Sequence, residues 1–392
     1  MINNKKNIVL FYIVTALFWY SLYAYVPIFP TYVESKGISY SMVGIILGSY
    51  GFAQMILRIP IGILSDKFNR RKLYVTLGML AAVSSNIGLW YFDEASLILL
   101  FRAFAGVAAS MWVVYAVLFS SYFKQADAPK AMGFLLSVTT LGQVSATFTG
   151  GIVSGSFSDK HTFLLAAAAG IIGFFLSLMI KKEQKDITKE PVRLKDLLSV
   201  GKDRMLMLVS GLAILSQFLT FATTYGFTPV AASKLGASSY ELGLLVTISA
   251  LPGVISGALS GSFFGKRFGE RNVITVGFMM TAASVLLIPF INSLTILFLT
   301  QIAGGFSKGM VFPLLMGMGI KNIPNDKRAT AMGFYQAIYG LGMFLGPVVV
   351  GILTDAVSLG MGFVITAAIG FLAAVTAFLS LEKAKSACLD AA

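Results

Sequence analysis

The chain has 392 residues, of which 57% are hydrophobic and 12% are charged, and its formal net charge is +13. Soluble domains carry about 25% charged residues, so this composition excludes a water-soluble fold and predicts an integral membrane protein. The basic residues lie between apolar segments and form no single stripe, which argues against a nucleic-acid partner. His161 is the only histidine and Cys388 the only cysteine, so we expect no metal site, no disulfide framework and no cofactor.

Twelve apolar segments follow one another along the chain, and a helix of roughly 20 such residues crosses a bilayer. The first segment follows Lys5 and Lys6 as in a signal peptide, but no small-residue cleavage site ends it, so we expect an uncleaved first span. The predicted fold class is all-α, with spans at about 8–30, 40–65, 73–92, 96–123, 130–157, 162–180, 204–233, 239–265, 272–291, 294–320, 329–355 and 359–381.

The basic residues alternate between the two sides of this predicted arrangement. Of the 30 lysines and arginines, 24 fall on the side that carries both termini. Lys36, Lys160 and Lys234 fall on the other side, and the remaining three basic residues lie within spans. The positive-inside rule therefore predicts a multi-pass protein of the cell membrane with both termini in the cytoplasm.

The two parts of the chain resemble each other at a fixed spacing. The tetrapeptide Ala-Met-Gly-Phe at 131–134 recurs at 331–334, and the Leu-Gly at 141–142 recurs at 341–342, 200 residues later. Parallel repeats of six spans are a known transporter plan, in which the substrate site lies between the halves. We expect an N-terminal six-helix half over 1–180, a cytoplasmic linker over 181–203 and a C-terminal six-helix half over 204–392.

The loop after the second span reads Gly62-Ile63-Leu64-Ser65-Asp66-Lys67-Phe68-Asn69-Arg70-Arg71-Lys72. It resembles the G-x-x-x-D-[RK]-x-G-R-[RK] loop of the major facilitator superfamily, and a degraded copy follows at 261–271. Asn69 replaces the usual glycine of the motif, and asparagine also tolerates left-handed backbone geometry. The resemblance implies two six-helix halves related by a pseudo-twofold axis and solute transport by alternating access.

In that family the carboxylate of the loop helps to hold the two halves together on the cytoplasmic side. The resemblance assigns this role to Asp66, with Gly62, Lys67, Arg70 and Arg71 completing the motif. The dipole of the eleventh helix would stabilise a carboxylate placed near its N-terminus. The alternative is that the basic residues of the loop only fix the topology.

Three basic residues lie within predicted spans, where a charge costs several kcal/mol unless it faces a cavity or a partner. Arg102 opens an R-x-x-x-G pattern, which resembles the family pattern often tied to proton coupling; snorkelling to the interface is the alternative. Lys308 lies near the middle of the tenth span, and we expect it to face the central cavity. For Arg58, packing or a latch role competes with substrate contact.

No acidic residue lies near the middle of any predicted span. Pumps for cationic drugs resemble one another in carrying a buried carboxylate, and this chain departs from that pattern. The unpaired Arg102 and Lys308 instead favour a substrate with a negative group. Glu34 is the best remaining candidate for a proton carrier, and a simple surface acid is the alternative.

Aromatic residues are dense in the spans that line the cavity in the resembled family. An apolar face with a hydroxyl donor suits an amphipathic ligand, although core or lipid-facing packing is the alternative for each residue. The residues expected at the cavity are Tyr23, Trp112, Tyr115, Tyr335 and Tyr339.

Small residues of the fifth and eleventh spans predict close helix packing. The fifth span keeps the glycine spacing of the exporter motif without its Gly-Pro pair, and the eleventh span supplies that pair. The Pro27-x-x-Pro30 end of the first span also resembles drug and metabolite exporters. The predicted packing residues are Gly142, Gly150, Gly151, Gly346 and Pro347.

These features are closest to the drug/metabolite:proton antiporter branch of the family. They predict a secondary active transporter that exports an amphipathic or anionic compound in exchange for protons. Proton-coupled uptake of a small organic anion is the alternative, and a membrane receptor or scaffold that transports nothing is a third hypothesis. An enzyme is not expected, because the sequence contains no nucleophile–base pair and no phosphate loop. The expected partners are a small-molecule substrate, protons and membrane lipids, and we expect a monomer.

Overall fold

A computed structural model of the protein describes residues 5–68, 70–123, 127–182, 199–321, 323–324 and 327–389. Within these ranges twelve helices are long and apolar enough to cross a membrane, and no strand occurs. This observation confirms the predicted all-α membrane fold. Most of the predicted 181–203 linker and Asn69 of the loop motif lie outside the described residues.

The twelve membrane-spanning helices each overlap one predicted apolar segment. In chain order they are α1 (Lys5–Tyr23), α2 (Tyr40–Phe68), α3 (Arg71–Tyr91), α4 (Ala95–Ser120), α5 (Ala128–Ser156), α6 (Asp159–Met179), α7 (Arg204–Lys234), α8 (Ser239–Phe268), α9 (Glu270–Phe290), α10 (Leu294–Lys321), α11 (Arg328–Ala356) and α12 (Leu359–Leu389).

The first span is shorter than predicted. Regular helix ends at Tyr23, turns follow, and a separate short helix runs over Phe29–Glu34. Pro27 and Pro30 lack the backbone N–H that would continue the helical hydrogen bonds. The break therefore follows from the two prolines that the sequence shows.

Helix α7 changes its hydrogen-bond register within the bundle. Its first part, Arg204–Ala222, leads into a π-helical turn over Thr223–Phe227, and regular helix resumes over Thr228–Lys234. Pro229 cannot donate to the carbonyl one turn earlier, which accounts for the change of register. Single π-helical turns within α-helices occur frequently at functional sites.

The helices form two groups of six with the same internal packing. In the first group α1 packs on α5 and α6, α2 on α4, and α3 on α4 and α6. Each of these contacts recurs six helices later, since α7 packs on α11 and α12, α8 on α10, and α9 on α10 and α12. The structure thus has the repeated six-helix architecture that the 200-residue spacing indicated.

Most of the contact between the two groups is made by two helix pairs, namely α2 with α11 and α5 with α8. We call the end of the bundle that carries Lys67, Arg71 and Lys321 the basic end, and the end that carries Lys36 and Lys160 the opposite end. Across α5 and α8, the hydroxyl groups of Thr147 and Thr247 lie 3.0 Å apart. A Cβ added at Gly151 would lie 2.8 Å from the Cα of Gly243, so the two backbones touch near the opposite end.

The two groups separate towards the basic end. A Cβ added at Gly133 of α5, Gly261 of α8 or Gly333 of α11 would meet no described atom within 4 Å. One added at Gly62 of α2 would meet only Val113 of its own group, at 3.9 Å. The bundle is therefore closed at the opposite end, and these four glycine positions make no contact between the groups towards the basic end.

Candidate functional site

A chamber lies between the two groups of helices, on the closed side of the bundle. About 200 Å³ of space not filled by atoms, part of it open to solvent, lies among its side chains. Both groups contribute to its walls, and Arg102 is the only charged residue among those that line it. The lining residues are Leu22, Tyr23, Val26, Tyr50, Arg102, Phe221 and Tyr225.

Arg102 is a buried cation held mainly by aromatic rings, with 4% of its surface exposed. Its Nη1 donates to the Tyr25 hydroxyl at 2.7 Å. Its guanidinium carbon lies 4.6 Å from the ring centre of Tyr50 and 5.2 Å from that of Phe29. Its Nε has no hydrogen-bond partner, and no carboxylate in the described part of the chain pairs with it. Arg102 therefore retains unused capacity to bind an anion.

Two aromatic pairs cross between the groups at the chamber. Tyr23 meets Tyr225 edge to face, with ring centres 5.6 Å apart. Tyr50 stacks on Phe221 at 6.0 Å. The first part of α7 carries Phe221 and its π-helical turn carries Tyr225, so the shape of α7 sets one wall of the chamber.

Trp112 and Tyr115, predicted at the cavity, lie on α4 behind the chamber wall. The Tyr115 ring stacks on Phe18 at 4.7 Å, and its hydroxyl donates to the Val75 carbonyl at 3.1 Å. Trp112 packs edge to face on Trp19 at 5.3 Å. Neither residue lines the chamber in this state, and Tyr115 already uses its hydroxyl within the core of the first group.

Arg58 bridges α2 to α11 and has 4% of its surface exposed. Its Nη1 donates to the Tyr339 hydroxyl at 2.6 Å and to the Gln336 side chain at 3.1 Å, and its Nη2 donates to Gln54. Tyr335 lies one turn from Tyr339, and its buried hydroxyl has no partner. Arg58 and Tyr339 thus form a contact between the groups outside the chamber, and Tyr335 packs beside Tyr339 within the second group.

Lys308 lies on α10 and does not line the chamber, although the sequence predicted that it would face the central cavity. Its Nζ donates to the Thr224 hydroxyl at 2.5 Å and to the Thr223 hydroxyl at 3.3 Å. A narrow gap between side chains, without room for a water molecule, adjoins Lys308 within the second group, between α7, α9 and α10. The other residues that line it are Ser216, Leu219, Phe278, Thr281 and Val311.

Glu34 ends the short helix after α1 and accepts a hydrogen bond from the Tyr40 hydroxyl at the opposite end. The Lys234 ammonium lies 4.8 Å from the centre of the Tyr40 ring. Glu34 does not line the chamber. In the α3–α4 loop of the same end, the Lys160 and Lys36 ammonium groups hold the pKa of Asp93 well below its usual range.

Asp355 makes a contact between the groups that the sequence did not indicate. From the end of α11, its carboxylate accepts hydrogen bonds from the backbone N–H groups of Tyr40 and Ser41 at 3.0 and 2.7 Å. The Ser41 hydroxyl also donates to it, at 2.6 Å. Asp355 therefore caps the N-terminus of α2 from the other group. The only sequence signal was an acid at a span end facing a helix start, which is common.

Asp66 contacts its own loop in this structure. Its Oδ1 accepts hydrogen bonds from Arg71 Nη2 at 2.7 Å and from Arg71 Nε at 3.1 Å. The described residues show no contact between Asp66 and the N-terminus of α11. Because the groups are apart at the basic end, Asp66 does not join them in this state.

The five residues predicted to allow close packing all lie at helix–helix contacts. Added Cβ atoms at Gly142 and Gly150 would meet the backbone of α1 or the residue that follows it, and one at Gly346 would meet α7. Gly151 faces α8, and the Pro347 carbonyl lies against Gly44 of α2. The first three contacts hold each group together, and the last two join the groups.

The sequence profile of the Major Facilitator Superfamily matches residues 11–230 and 210–390, which together span nearly the whole chain. The chain belongs to the major facilitator superfamily. It is 25% identical to an uncharacterized MFS-type transporter of Methanocaldococcus jannaschii over 395 residues, covering 97% of this chain and 99% of the relative. It is 22% identical to the quinolone resistance protein NorA of Staphylococcus aureus over 360 residues, or 90% of each chain.

Solved structures of this superfamily share the fold. The nucleoside transporter NupG, in a mutant form, superposes with a TM-score of 0.79 at 15% identity, covering 95% of this chain and 98% of that chain. A bacterial homolog of the human lysosomal transporter Spinster, inward-facing and occupied, gives 0.78 at 15% identity, covering 96% of each. The protein is thus a multi-pass membrane transporter of a small solute, and its relatives are transporters and not enzymes.

Proposed function

We propose that this transporter exports amphipathic or anionic compounds across the cell membrane in exchange for protons, as a monomer. The observation that carries the proposal is Arg102, a buried guanidinium without an ionic partner, in an aromatic chamber between the two groups. An anionic ligand would supply the missing partner, and the aromatic walls would cover its apolar part.

The size of the chamber bears on how it is occupied. Pockets for drug-sized ligands are about 300–1,000 Å³, whereas the space among these side chains has room for little more than a water molecule. Tyr23 and Tyr225 close over this space and belong to different groups. A ligand of that size therefore has to part this aromatic pair, which makes binding depend on the position of α7.

The positive-inside distribution supports a cytoplasmic basic end and cytoplasmic termini. We infer that in that orientation the closed opposite end faces outward, which corresponds to an inward-facing state with the chamber near its closed end. An exporter takes up its substrate from this state. We assign 1–180 and 204–392 to the two bodies that rock about the chamber and 181–203 to their cytoplasmic linker.

Export is favoured over uptake by the relative NorA, whose name describes quinolone resistance. A membrane transporter confers resistance by lowering the concentration of the compound inside the cell. Quinolones are aromatic carboxylic acids, which matches a chamber with one cation and four aromatic residues among its lining. Uptake of a small organic anion remains the second candidate, because Arg102 would bind the anion equally well in either direction.

Inverted membrane vesicles test the proposal. An acidic vesicle interior should drive accumulation of a quinolone carboxylic acid, whereas its neutral ethyl ester should accumulate at least tenfold less. Arg102→Ala should lose the carboxylate preference, and Arg267→Ala, which changes an exposed arginine at the end of α8, should behave like the wild type.

Two results would contradict parts of this proposal. Equal transport of acid and ester would exclude the anion-binding role of Arg102. Accumulation only in right-side-out vesicles with an acidic exterior would reverse the direction and establish the uptake alternative.

A further inference from the structure

Lys308 occupies a position where a permanent charge is costly. It lies about 20 Å from either end of α10, given a rise of 1.5 Å per residue. Its ammonium group has two threonine hydroxyls as partners and no carboxylate in the described part of the chain. A buried ammonium without a counter-ion is readily converted to the neutral amine.

Among the described residues, no acid and no second basic residue lies beside Lys308. The helices packed on α10 are α7, α8, α9 and α11, and the acids and basic residues that the structure describes on them lie at helix ends. Nearer to Lys308, Tyr225 adjoins Thr224, and Tyr335 and Tyr339 pack on Phe312, one turn towards the basic end. The charged residues at the helix ends are Arg204, Lys234, Glu241, Lys266, Arg267, Glu270, Arg271, Lys321, Arg328 and Asp355.

The two partners of Lys308 begin the π-helical turn of α7. Thr223 and Thr224 are the first two residues of the Thr223–Phe227 turn, and the next residue is Tyr225. Tyr225 closes the central chamber against Tyr23. A change in the hydrogen bonds of Lys308 therefore acts directly on the segment that forms the chamber wall.

We propose that Lys308 binds the exchanged proton and that its charge state sets the position of the α7 π-helical turn. This inference rests on the proposed proton-coupled function and names the group that performs the coupling. A proton adds to the Nζ lone pair, and the resulting ammonium donates to Thr223 and Thr224, as in the structure. Loss of the proton leaves an amine that holds the turn with fewer donors.

Competition between proton and substrate follows from this arrangement. With the ammonium bound to both threonines, Tyr225 meets Tyr23 and the chamber is small. A substrate that displaces Tyr225 moves the turn away from Lys308 and favours release of the proton. The two ligands thus oppose each other through a single segment, which is the thermodynamic requirement for exchange.

The test separates coupling from transport. In vesicles, a quinolone carboxylic acid is followed in two assays, namely uphill accumulation driven by a pH gradient, and exchange of labelled for unlabelled compound at equal pH. Lys308→Met should lose accumulation at least tenfold and keep exchange within threefold of the wild type. Lys308→Arg, whose charge is permanent, should lose both. Lys321→Met, at the exposed end of the same helix, should keep both.

Thr224→Val provides a second variant that retains the lysine. Without this hydroxyl, the ammonium form is less stable, so the pH dependence of exchange should move to lower pH by about one unit. Uphill accumulation by Lys308→Met at the wild-type level, or an unmoved profile in Thr224→Val, would overturn the coupling role of Lys308. A wild-type protein that exchanges the compound but ignores the pH gradient would instead refute the proposed proton-coupled function.

Discussion

Arg102 is held in the fold by few compensating contacts. It forms one hydrogen bond, to Tyr25, and otherwise rests on aromatic rings. Cation–π contacts contribute up to about 2 kcal/mol when desolvated, whereas burying a charge costs several kcal/mol. We propose that a ligand pairs with Arg102, which would explain why the protein keeps a buried charge that weakens the fold.

Arg102→Met separates stability from transport. Replacing a buried charge with an apolar residue of similar volume is often neutral or stabilising, so the free energy of unfolding should stay equal or rise by about 1 kcal/mol. Transport of a carboxylate probe should be lost. Arg58→Met is the matched variant, since it leaves Gln54, Gln336 and Tyr339 without their partner and should lower stability. Thermal unfolding in detergent measures both, and a marked loss of stability in Arg102→Met would contradict this explanation.

Tyr335 and Tyr339 lie one turn apart on α11, and their hydroxyl groups differ in hydrogen bonding. The Tyr335 hydroxyl is buried without a partner, so Tyr335→Phe should leave stability unchanged or raise it by about 1 kcal/mol. The Tyr339 hydroxyl accepts from Arg58, so Tyr339→Phe should cost about 1–3 kcal/mol. Unfolding temperatures of the two variants provide the comparison. If Tyr335→Phe lowered the unfolding temperature more than Tyr339→Phe, the Tyr335 hydroxyl would have a hydrogen-bond partner in another state, for example the substrate.

The sequence identified residues near the centre of the protein more reliably than it identified those that line the chamber. Position along a span follows from the number of residues, because the bilayer fixes the helix length. The direction of a side chain around the helix axis depends on packing between helices, which a hydrophobic segment does not encode. Tyr23, predicted at the cavity, and Arg102, predicted for proton coupling or substrate contact, both line the chamber, whereas Tyr115, Tyr335 and Lys308 do not and Tyr50 and Phe221 were missed.

The pair α5 and α8 closes the opposite end through backbone contact. Gly151 and Gly243 allow this approach because neither has a side chain between the helices. Any Cβ at either position would have to push the two groups apart. The closed state at this end therefore depends on both glycines, and the open state does not.

Gly151→Val should shift the protein towards the state that is open at the opposite end. Spin labels at Phe157 and Tyr240, introduced as cysteines after Cys388→Ser, report the distance between α5 and α8 at that end. The variant should lengthen this distance and slow transport at least tenfold. Gly155→Ala is the control, because a Cβ there meets Tyr240 at 3.6 Å, an ordinary contact. An unchanged distance in Gly151→Val would show that the glycine contact does not limit closure.

At the scale of the molecule, the number of spans and the repeat followed from the sequence, and the connection between the groups did not. Lipid requires every span to be long and apolar, so the composition shows each one. Asp355 joins the two groups and the π-helical turn of α7 carries Tyr225 at the chamber wall, and a sequence pattern carries no sign of which contacts alternate between states. The structure shows the contacts of one of these two states.

Asp66 and Asp355 occupy related positions in the two groups. Asp355 at the end of α11 caps the start of α2, and the loop motif places Asp66 near the end of α2, where it would cap the start of α11. Only the first contact exists in this state, because Asp66 is paired with Arg71. The two carboxylates would therefore stabilise opposite states, each through a helix N-terminus in the other group.

This symmetry predicts the behaviour of single and double variants. Loss of a helix cap costs about 0.5–2 kcal/mol, so Asp355→Ala should increase the population open at the opposite end by up to about 30-fold relative to the closed form. Asp66→Ala should shift the population the other way, and the double variant should return near the wild-type ratio.

Distances between spin labels at Phe134 and Phe263, on the basic-end parts of α5 and α8, give the populations. Asp159→Ala, which removes a contact to Ser154 within one group, should leave them unchanged. If both single variants moved the equilibrium in the same direction, the two carboxylates would not act on opposite states.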